Sequence, residues 1–168
     1  MTAGEVLRTQ RLLLRELTEA DAPFMLELLN QPGFLKNIGD RGVRTLDDAR
    51  VHIGVQRSRY AQLGYGLWAA ALSSGELIGL CGLVRRNGLE HPDLGYAFLA
   101  RHEGQGYATE AAAAVVSHVR RNLGIGALAA ITSPENAASI AVLEKLGFRF
   151  VGLKRLPGED KDVRYFEA

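Results

Sequence analysis

The sequence has few of the residues that build disulfide or metal scaffolds. Cys81 is its only cysteine, so an internal disulfide is excluded. The four histidines, at 52, 91, 102 and 118, include no pair at the i, i+4 spacing that places two ligands on one helix face. We therefore expect neither a disulfide framework nor a bound metal.

The sequence also lacks a large net charge and long apolar runs. Twenty Lys and Arg against 19 Asp and Glu leave a net charge of +1, which creates no field that would collect nucleic acid or an anionic membrane. No apolar run approaches the roughly 20 residues that span a bilayer. Residues 1–16 contain no charged segment followed by an apolar core and a cleavage site. These features predict a cytoplasmic protein that binds neither nucleic acid nor membrane.

What is present is the composition of a globular protein, with 47% hydrophobic and 23% charged residues. The length of 168 residues suits one domain, and no repeat or linker divides it, so we predict a single domain over residues 1–168. Hydrophobic periodicity and turn residues predict the order βααβββαβαββ, an α+β fold. The predicted elements are a strand over 8–17, helices over 19–30 and 46–63, strands over 66–72, 76–84 and 91–99, a helix over 107–123, a strand over 127–132, a helix over 135–146, and a terminal hairpin turning at Pro157 and Gly158.

Helix starts and stops carry local signals. Thr18 is followed by Asp21, and Thr45 is followed by Asp48, which is the spacing of an N-cap with an acidic partner. Gly64 suits the left-handed position that closes a helix. The segment from 34 to 44 is polar and contains glycines, so we expect it to be a loop.

The most informative segment is Glu103–Ala111, which connects a predicted strand to an Ala-rich helix. Gly104 and Gly106 let successive backbone N–H groups point into one concavity, and a helix N-terminus adds about half a positive charge. This combination favours a diphosphate site, although two glycines can also form a plain tight turn. The GxxxxGK[ST] motif is absent, and Thr109 stands where GxGxxG requires its third glycine, so neither a nucleoside triphosphate nor a dinucleotide is favoured.

With this loop in view, the sequence resembles the GNAT superfamily of acetyl-CoA-dependent N-acetyltransferases, and within it the RimJ/RimL-like branch. Four blocks in family order carry the resemblance: LRTQRLLLREL, GELIGLCGL, DLGYAFL running into EGQGYATEA, and ENAASIAVLEKLGF. The resemblance implies a mixed, mostly antiparallel central sheet flanked by helices. It also implies transfer of an acetyl group from acetyl-CoA to a primary amine, either a protein N-terminal α-amine or a small-molecule amine, by direct attack on the thioester.

The resemblance implies which residues hold coenzyme A. In the family the backbone of the glycine loop holds the diphosphate, and the strand before it splays from the next parallel strand so that pantetheine fills the gap. Glu103 and Ala100 depart from the family's usual residues. A buried central strand would look the same in sequence. The predicted cofactor contacts are Ala97, Phe98, Leu99, Gly104, Gln105, Gly106, Tyr107, Ala108, Thr109 and Asn136.

Two further residues are implied to act on the reacting groups. An amine attacks a thioester only as the free base, and the residue that matches the family's base is Asp93, with a solvated Asp at a strand edge as the alternative. Leu143 stands where many family members carry a tyrosine that acts as the general acid. The RimJ/RimL-like branch has a serine near the thioester sulfur that resembles a proton donor, and Ser139 matches it, with Tyr107 as its rival. The alternatives are that the thiolate leaves unassisted and that Ser139 packs on the first turn of a helix that Asn136 caps.

A second interpretation keeps the glycine loop without the chemistry. Leu143 and Glu103 both depart from the family pattern, so a non-catalytic acyl-CoA-binding module stays open as the alternative. In the family the acceptor enters between segments that correspond here to 31–45 and 155–162, whose mixed charges select no substrate class. The sequence does not specify the oligomeric state, although association as a homodimer is common among similar proteins.

Overall fold

One eight-stranded sheet runs through the computed structural model, which describes residues 4–168. Residues 1–3, which we included in the predicted domain, lie outside the described residues. The strand order is β1-β2-β3-β4-β5-β6-β8-β7, and all neighbours are antiparallel except β5 and β6. The strands are β1 (Glu5–Arg8), β2 (Leu12–Arg15), β3 (Leu67–Leu72), β4 (Leu77–Val84), β5 (Asp93–Phe98), β6 (Ala129–Thr132), β7 (Arg149–Lys154) and β8 (Val163–Glu167). This is the α+β fold with a mostly antiparallel sheet that the sequence predicts.

Five α-helices flank this sheet in the described part of the chain. They are α1 (Ala22–Asn30), α2 (Pro32–Asn37), α3 (Leu46–Leu63), α4 (Tyr107–Asn122) and α5 (Ala137–Lys145). The predicted capping boxes form at both sites, at Thr18 with Asp21 and at Thr45 with Asp48. Gly64 closes α3 with a φ of 79°, as expected.

Two predicted elements were wrong. The single strand over 8–17 is a hairpin, because Thr9 turns the chain with its N–H donating to the carbonyl of Leu12 at 2.8 Å. The first part of the predicted loop after α1 is helical and belongs to α2, which begins at Pro32. Proline is tolerated at the first position of a helix, where its missing N–H costs nothing, so this Pro starts a helix.

The sheet has an apolar core on each face. Leu94, Phe98 and Val115 belong to the core beneath α4 and α5. Met25, Ile53 and Leu80 belong to the core beneath α1 and α3. Since successive strand residues point to opposite faces, Asp93 and Tyr96 of β5 lie on opposite faces of the sheet.

Two absences apply to the described residues. No helix within 4–168 is both long enough and apolar enough to cross a membrane. In the same range, no group of three or more His, Cys, Asp or Glu side chains could hold a metal ion.

Candidate functional site

A gap opens between β5 and β6, the two parallel strands at the centre of the sheet. Within the described residues these strands pair at one position, Asp93 with Ala129, where the N–H of Ala129 donates to the carbonyl of Pro92 at 2.9 Å. The strands diverge beyond this point. The gap runs from the start of β5 towards the loop at 103–106 that leads into α4.

The backbone of β5 presents alternate residues to this gap. Leu99 donates its N–H to the carbonyl of Ile78 in β4 at 2.8 Å, and Ala97 pairs with Leu80 of β4. Antiparallel pairing alternates the direction of backbone groups, so those of Tyr96 and Phe98 point to the gap. Among the predicted backbone contacts, Phe98 therefore faces the gap, whereas Ala97 and Leu99 face β4. The Phe98 carbonyl also accepts from the Gln31 side chain at 2.8 Å.

The glycine loop leads into α4 with the backbone conformation that the sequence suggests. Gly104 has a φ of 77° and Gly106 has a φ of 84°, and Gly106 is the N-cap of α4. A Cβ on Gly104 would meet nothing within 4 Å, so the space beside this backbone is open. A sequence of N–H groups at a helix N-terminus with open space in front of it suits an anionic group.

Arg11, which the sequence analysis did not single out, lies across this loop. Its Nη1 donates to the carbonyl of Gln105 at 3.0 Å, and its guanidinium stacks 4.3 Å from the ring centroid of Tyr107. Its Nε donates to Glu110 of α4 at 2.7 Å, and Thr9 donates its hydroxyl to the same carboxylate at 2.5 Å. The β1–β2 turn thus anchors the loop. Tyr107 therefore lies under the guanidinium of Arg11, at the end of the gap nearest the glycine loop.

Ser139 lies in the first turn of α5, where two groups hold it. Its N–H donates to the side chain of Asn136 at 3.2 Å, which makes Asn136 the N-cap. Its hydroxyl oxygen lies 2.8 Å from the hydroxyl of Tyr96 on β5. Leu143 on the same helix is 1% exposed and belongs to the core. The structure therefore brings two hydroxyl groups together on the α5 side of the gap.

Thr132 ends β6 with an unsatisfied hydroxyl. Its side chain is 5% exposed, and its Oγ1 finds no hydrogen-bond partner within residues 4–168. Strand alternation places Thr132 on the same face as Ala130, which packs in the core beneath α4 and α5. A buried hydroxyl without a partner costs free energy, so this atom is suited to a polar group of a bound ligand.

Asp93 is buried at the point where β5 and β6 meet. Its side chain is 1% exposed, and both carboxylate oxygens lie 3.2 Å from Nε of Arg86. Burial raises the pKa of Asp93 above its ordinary value, while the charge and hydrogen bond of Arg86 act in the opposite direction. The solvated strand-edge alternative for this residue was wrong. Glu90 and His91 lie in the loop before β5.

The two segments predicted to flank the acceptor come near Arg86. The pKa of Arg41 is lowered by burial and by the charge of Arg86, and the carboxylate of Glu159 opposes this shift. Arg41 belongs to the first predicted segment and Glu159 to the second. The loop at 85–92 also packs on the second segment, because a Cβ on Gly88 would lie 2.7 Å from Pro157. The Asp93 side of the gap is thus bordered by charged side chains of both signs.

The sequence matches the model of one protein family. The family model described as an acetyltransferase (GNAT) domain matches residues 11–149. A Bacillus subtilis protein named uncharacterized protein YkkB is 32% identical over 155 residues, which covers 89% of this chain and 88% of the relative.

Solved structures with the same fold cover almost the whole chain. An acetyltransferase from Agrobacterium tumefaciens is 29% identical with a TM-score of 0.82, and the match covers 96% of this chain and 92% of the other. Mycobacterium smegmatis RimJ in complex with CoA-disulfide has a TM-score of 0.80 at 22% identity, covering 94% of this chain and 81% of the other. At that identity, the likeness to RimJ shows the fold.

Proposed function

Because this chain belongs to the GNAT acetyltransferase family and is an acetyl-CoA-dependent acetyltransferase, we propose that its acceptor is a primary amine. The acetyl group passes to a protein N-terminal α-amine or to a small-molecule amine by direct attack on the thioester. The observation that carries this proposal is the gap between β5 and β6, with a buried carboxylate on one face of β5 and a hydroxyl pair on the other. The cytoplasmic location predicted from the sequence and the homodimer common among similar proteins stay predictions.

Three features of the gap suit coenzyme A. The N–H groups of residues 104–109 at the N-terminus of α4 would hold the diphosphate, and Gly104 leaves the space that a phosphate needs. The backbone groups of Tyr96 and Phe98 on the open edge of β5 would pair with the pantetheine amides as a neighbouring strand would. The unsatisfied hydroxyl of Thr132 provides a further buried partner on the β6 side.

The proton acceptor for the amine and the hydrogen-bond donor for the sulfur lie on opposite faces of β5. Acetyl-CoA supplies an activated acyl carbon and a sulfur leaving group. Asp93 accepts the proton of the attacking amine, either directly or through a water molecule. Ser139 on the opposite face directs its hydroxyl at the departing sulfur, which needs a hydrogen-bond donor as its negative charge develops. The amine adds to the carbonyl carbon to form a tetrahedral intermediate, which collapses with loss of the thiolate, and the carboxylate and the hydroxyl serve these two steps from opposite faces of β5.

Amine-dependent release of coenzyme A tests the proposal. The wild-type chain should release free thiol from acetyl-CoA when a suitable amine is present, and mass spectrometry should find one acetyl group on that amine. The panel should contain small primary amines and peptides with free N-termini, with N-acetylated peptides as matched negative controls. If the chain binds coenzyme A and no amine stimulates thiol release, the non-catalytic acyl-CoA-binding module is the correct function.

A further inference from the structure

The hydroxyl of Tyr96 reaches from β5 to α5, the helix that carries Ser139. It lies 2.8 Å from the hydroxyl oxygen of Ser139 and 3.1 Å from the carbonyl oxygen of the same residue. Its ring packs against the core beneath α4 and α5. The contact joins residues of β5 and α5 that are 43 positions apart in the chain.

We propose that Tyr96 is a positioning residue that orients the Ser139 hydroxyl towards the departing sulfur. This inference rests on the proposed function, because it assigns a partner within the same site. A serine hydroxyl rotates freely about its Cβ–Oγ bond and carries one proton. The single Tyr96 proton has two acceptors, the hydroxyl oxygen and the carbonyl oxygen of Ser139, and when it points to the hydroxyl oxygen the serine proton is free to point into the adjacent gap.

The pair acts by donating hydrogen bonds, and both protons stay on their oxygens. Burial raises the pKa of Tyr96 to about 12, while the pKa of a free thiol is about 8.5. Transfer of the tyrosine proton to the leaving thiolate would therefore run uphill by roughly three pKa units. A hydrogen-bond chain from Tyr96 to Ser139 to sulfur polarises the serine hydroxyl without that cost. The thiolate leaves as such and takes its proton from water.

Replacing Tyr96 by Phe keeps the ring in the core and removes the hydroxyl. Single-turnover rates of acetyl transfer should fall roughly 3- to 10-fold, which is the loss expected for one hydrogen bond, while the dissociation constant of coenzyme A stays within about twofold. Ser139→Ala should lower the same rate by more. The double variant should be no slower than Ser139→Ala alone, because Tyr96 acts through the serine.

Tyr60→Phe is the matched control. Its hydroxyl donates to the carbonyl of Leu67 and accepts from the N–H of Leu17 in the core next to α3. This variant also loses a buried hydrogen-bonded hydroxyl but should keep the wild-type rate, whereas Tyr96→Phe should lower the rate. The control thus separates the loss of a structural hydroxyl from the loss of a positioning one.

The outcomes separate this inference from the function on which it rests. A wild-type chain that transfers no acetyl group to any amine overturns the proposed function and the role of Tyr96 with it. With an active wild type, a Tyr96→Phe rate equal to wild type overturns the inference alone. The same holds if the losses of the two single variants multiply in the double variant, since Tyr96 would then act independently of Ser139.

Discussion

Asp93 shows how burial changes what a single residue can do. A carboxylate at the start of a strand, directly after a proline, could be solvent-exposed and have no catalytic role. Here β6 and the loop at 85–92 cover it, and Arg86 is its only charged hydrogen-bond partner in the described chain. The raised pKa makes it a stronger base than an exposed Asp once it is ionised.

We expect Asp93→Asn to reduce turnover at neutral pH by roughly 10²- to 10⁴-fold, as for a lost general base. The defect should shrink as the pH rises above about 8, where an acceptor α-amine is already deprotonated and needs no base. Initial rates from pH 6 to pH 10 with a peptide N-terminus as acceptor would measure this.

Coenzyme A affinity provides the control for Asp93→Asn and should stay near that of the wild type. The folded-state pKa of Asp93 is raised, so its contribution to stability is present at low pH and is lost as the pH rises through that pKa. A neutral amide should therefore be tolerated at neutral pH. A defect of equal size at every pH would assign Asp93 a structural role with Arg86.

At the scale of elements, β3 and β4 approach each other too closely for any side chain at Gly82. A Cβ built there would lie 1.9 Å from the carbonyl oxygen of Gly66, which also accepts from the N–H of Leu83 at 3.2 Å. The contact is with backbone, which cannot swing aside. This close approach holds the strand pair next to β5 and therefore supports the wall of the gap.

Gly82→Ala should lower the free energy of unfolding by about 1–3 kcal/mol or more, the cost of overpacking a core. Gly54→Ala is the opposite case, since Gly54 lies within α3 and a Cβ there would meet nothing within 4 Å. That variant should raise the free energy of unfolding by roughly 0.5–1 kcal/mol through helix propensity. Urea denaturation measures both, and equal effects at the two positions would contradict the close approach.

At the scale of the whole molecule, ligand binding and stability are linked through α4. The N-terminus of α4 lies at the glycine loop beside the gap, whereas its C-terminus lies near Gly124 at the other end of the helix. Coenzyme A bound to the folded chain at about 100 times its dissociation constant should add about 2.7 kcal/mol to the free energy of unfolding. For a chain of this size that is a rise in melting temperature of roughly 5 to 10 °C.

Gly106→Val should abolish this rise, and Gly124→Val should keep it. Both glycines have positive φ, 84° and 68°, so both substitutions strain the backbone and lower the melting temperature of the free protein. Only the first places a branched side chain where the diphosphate approaches the backbone. Thermal melts with and without coenzyme A measure the difference, and a full rise in Gly106→Val would move the diphosphate away from this loop.

The sequence by itself determined the features that depend on neighbours along the chain. Thr18 with Asp21 marked the start of the short 3-10 helix Glu19–Asp21 that leads into α1. Thr45 with Asp48 and Gly64 bounded α3 correctly, because capping uses groups within four residues of each other. The glycine loop before α4 was predictable for the same reason. The hairpin at Thr9 and the short helix α2 were missed because a leucine run and a Pro-Gly pair each fit two local structures.

The tertiary structure alone decided which distant residues meet at the site. Arg11 reaches Glu110 across 99 positions, and Tyr96 reaches Ser139 across 43, and neither spacing leaves a periodic signal in the sequence. The burial of Asp93 and the direction of the backbone groups of Tyr96 and Phe98 follow from the sheet order β4-β5-β6. Strand pairing is set by packing among segments far apart in the chain, so only the folded sheet fixes where the gap opens.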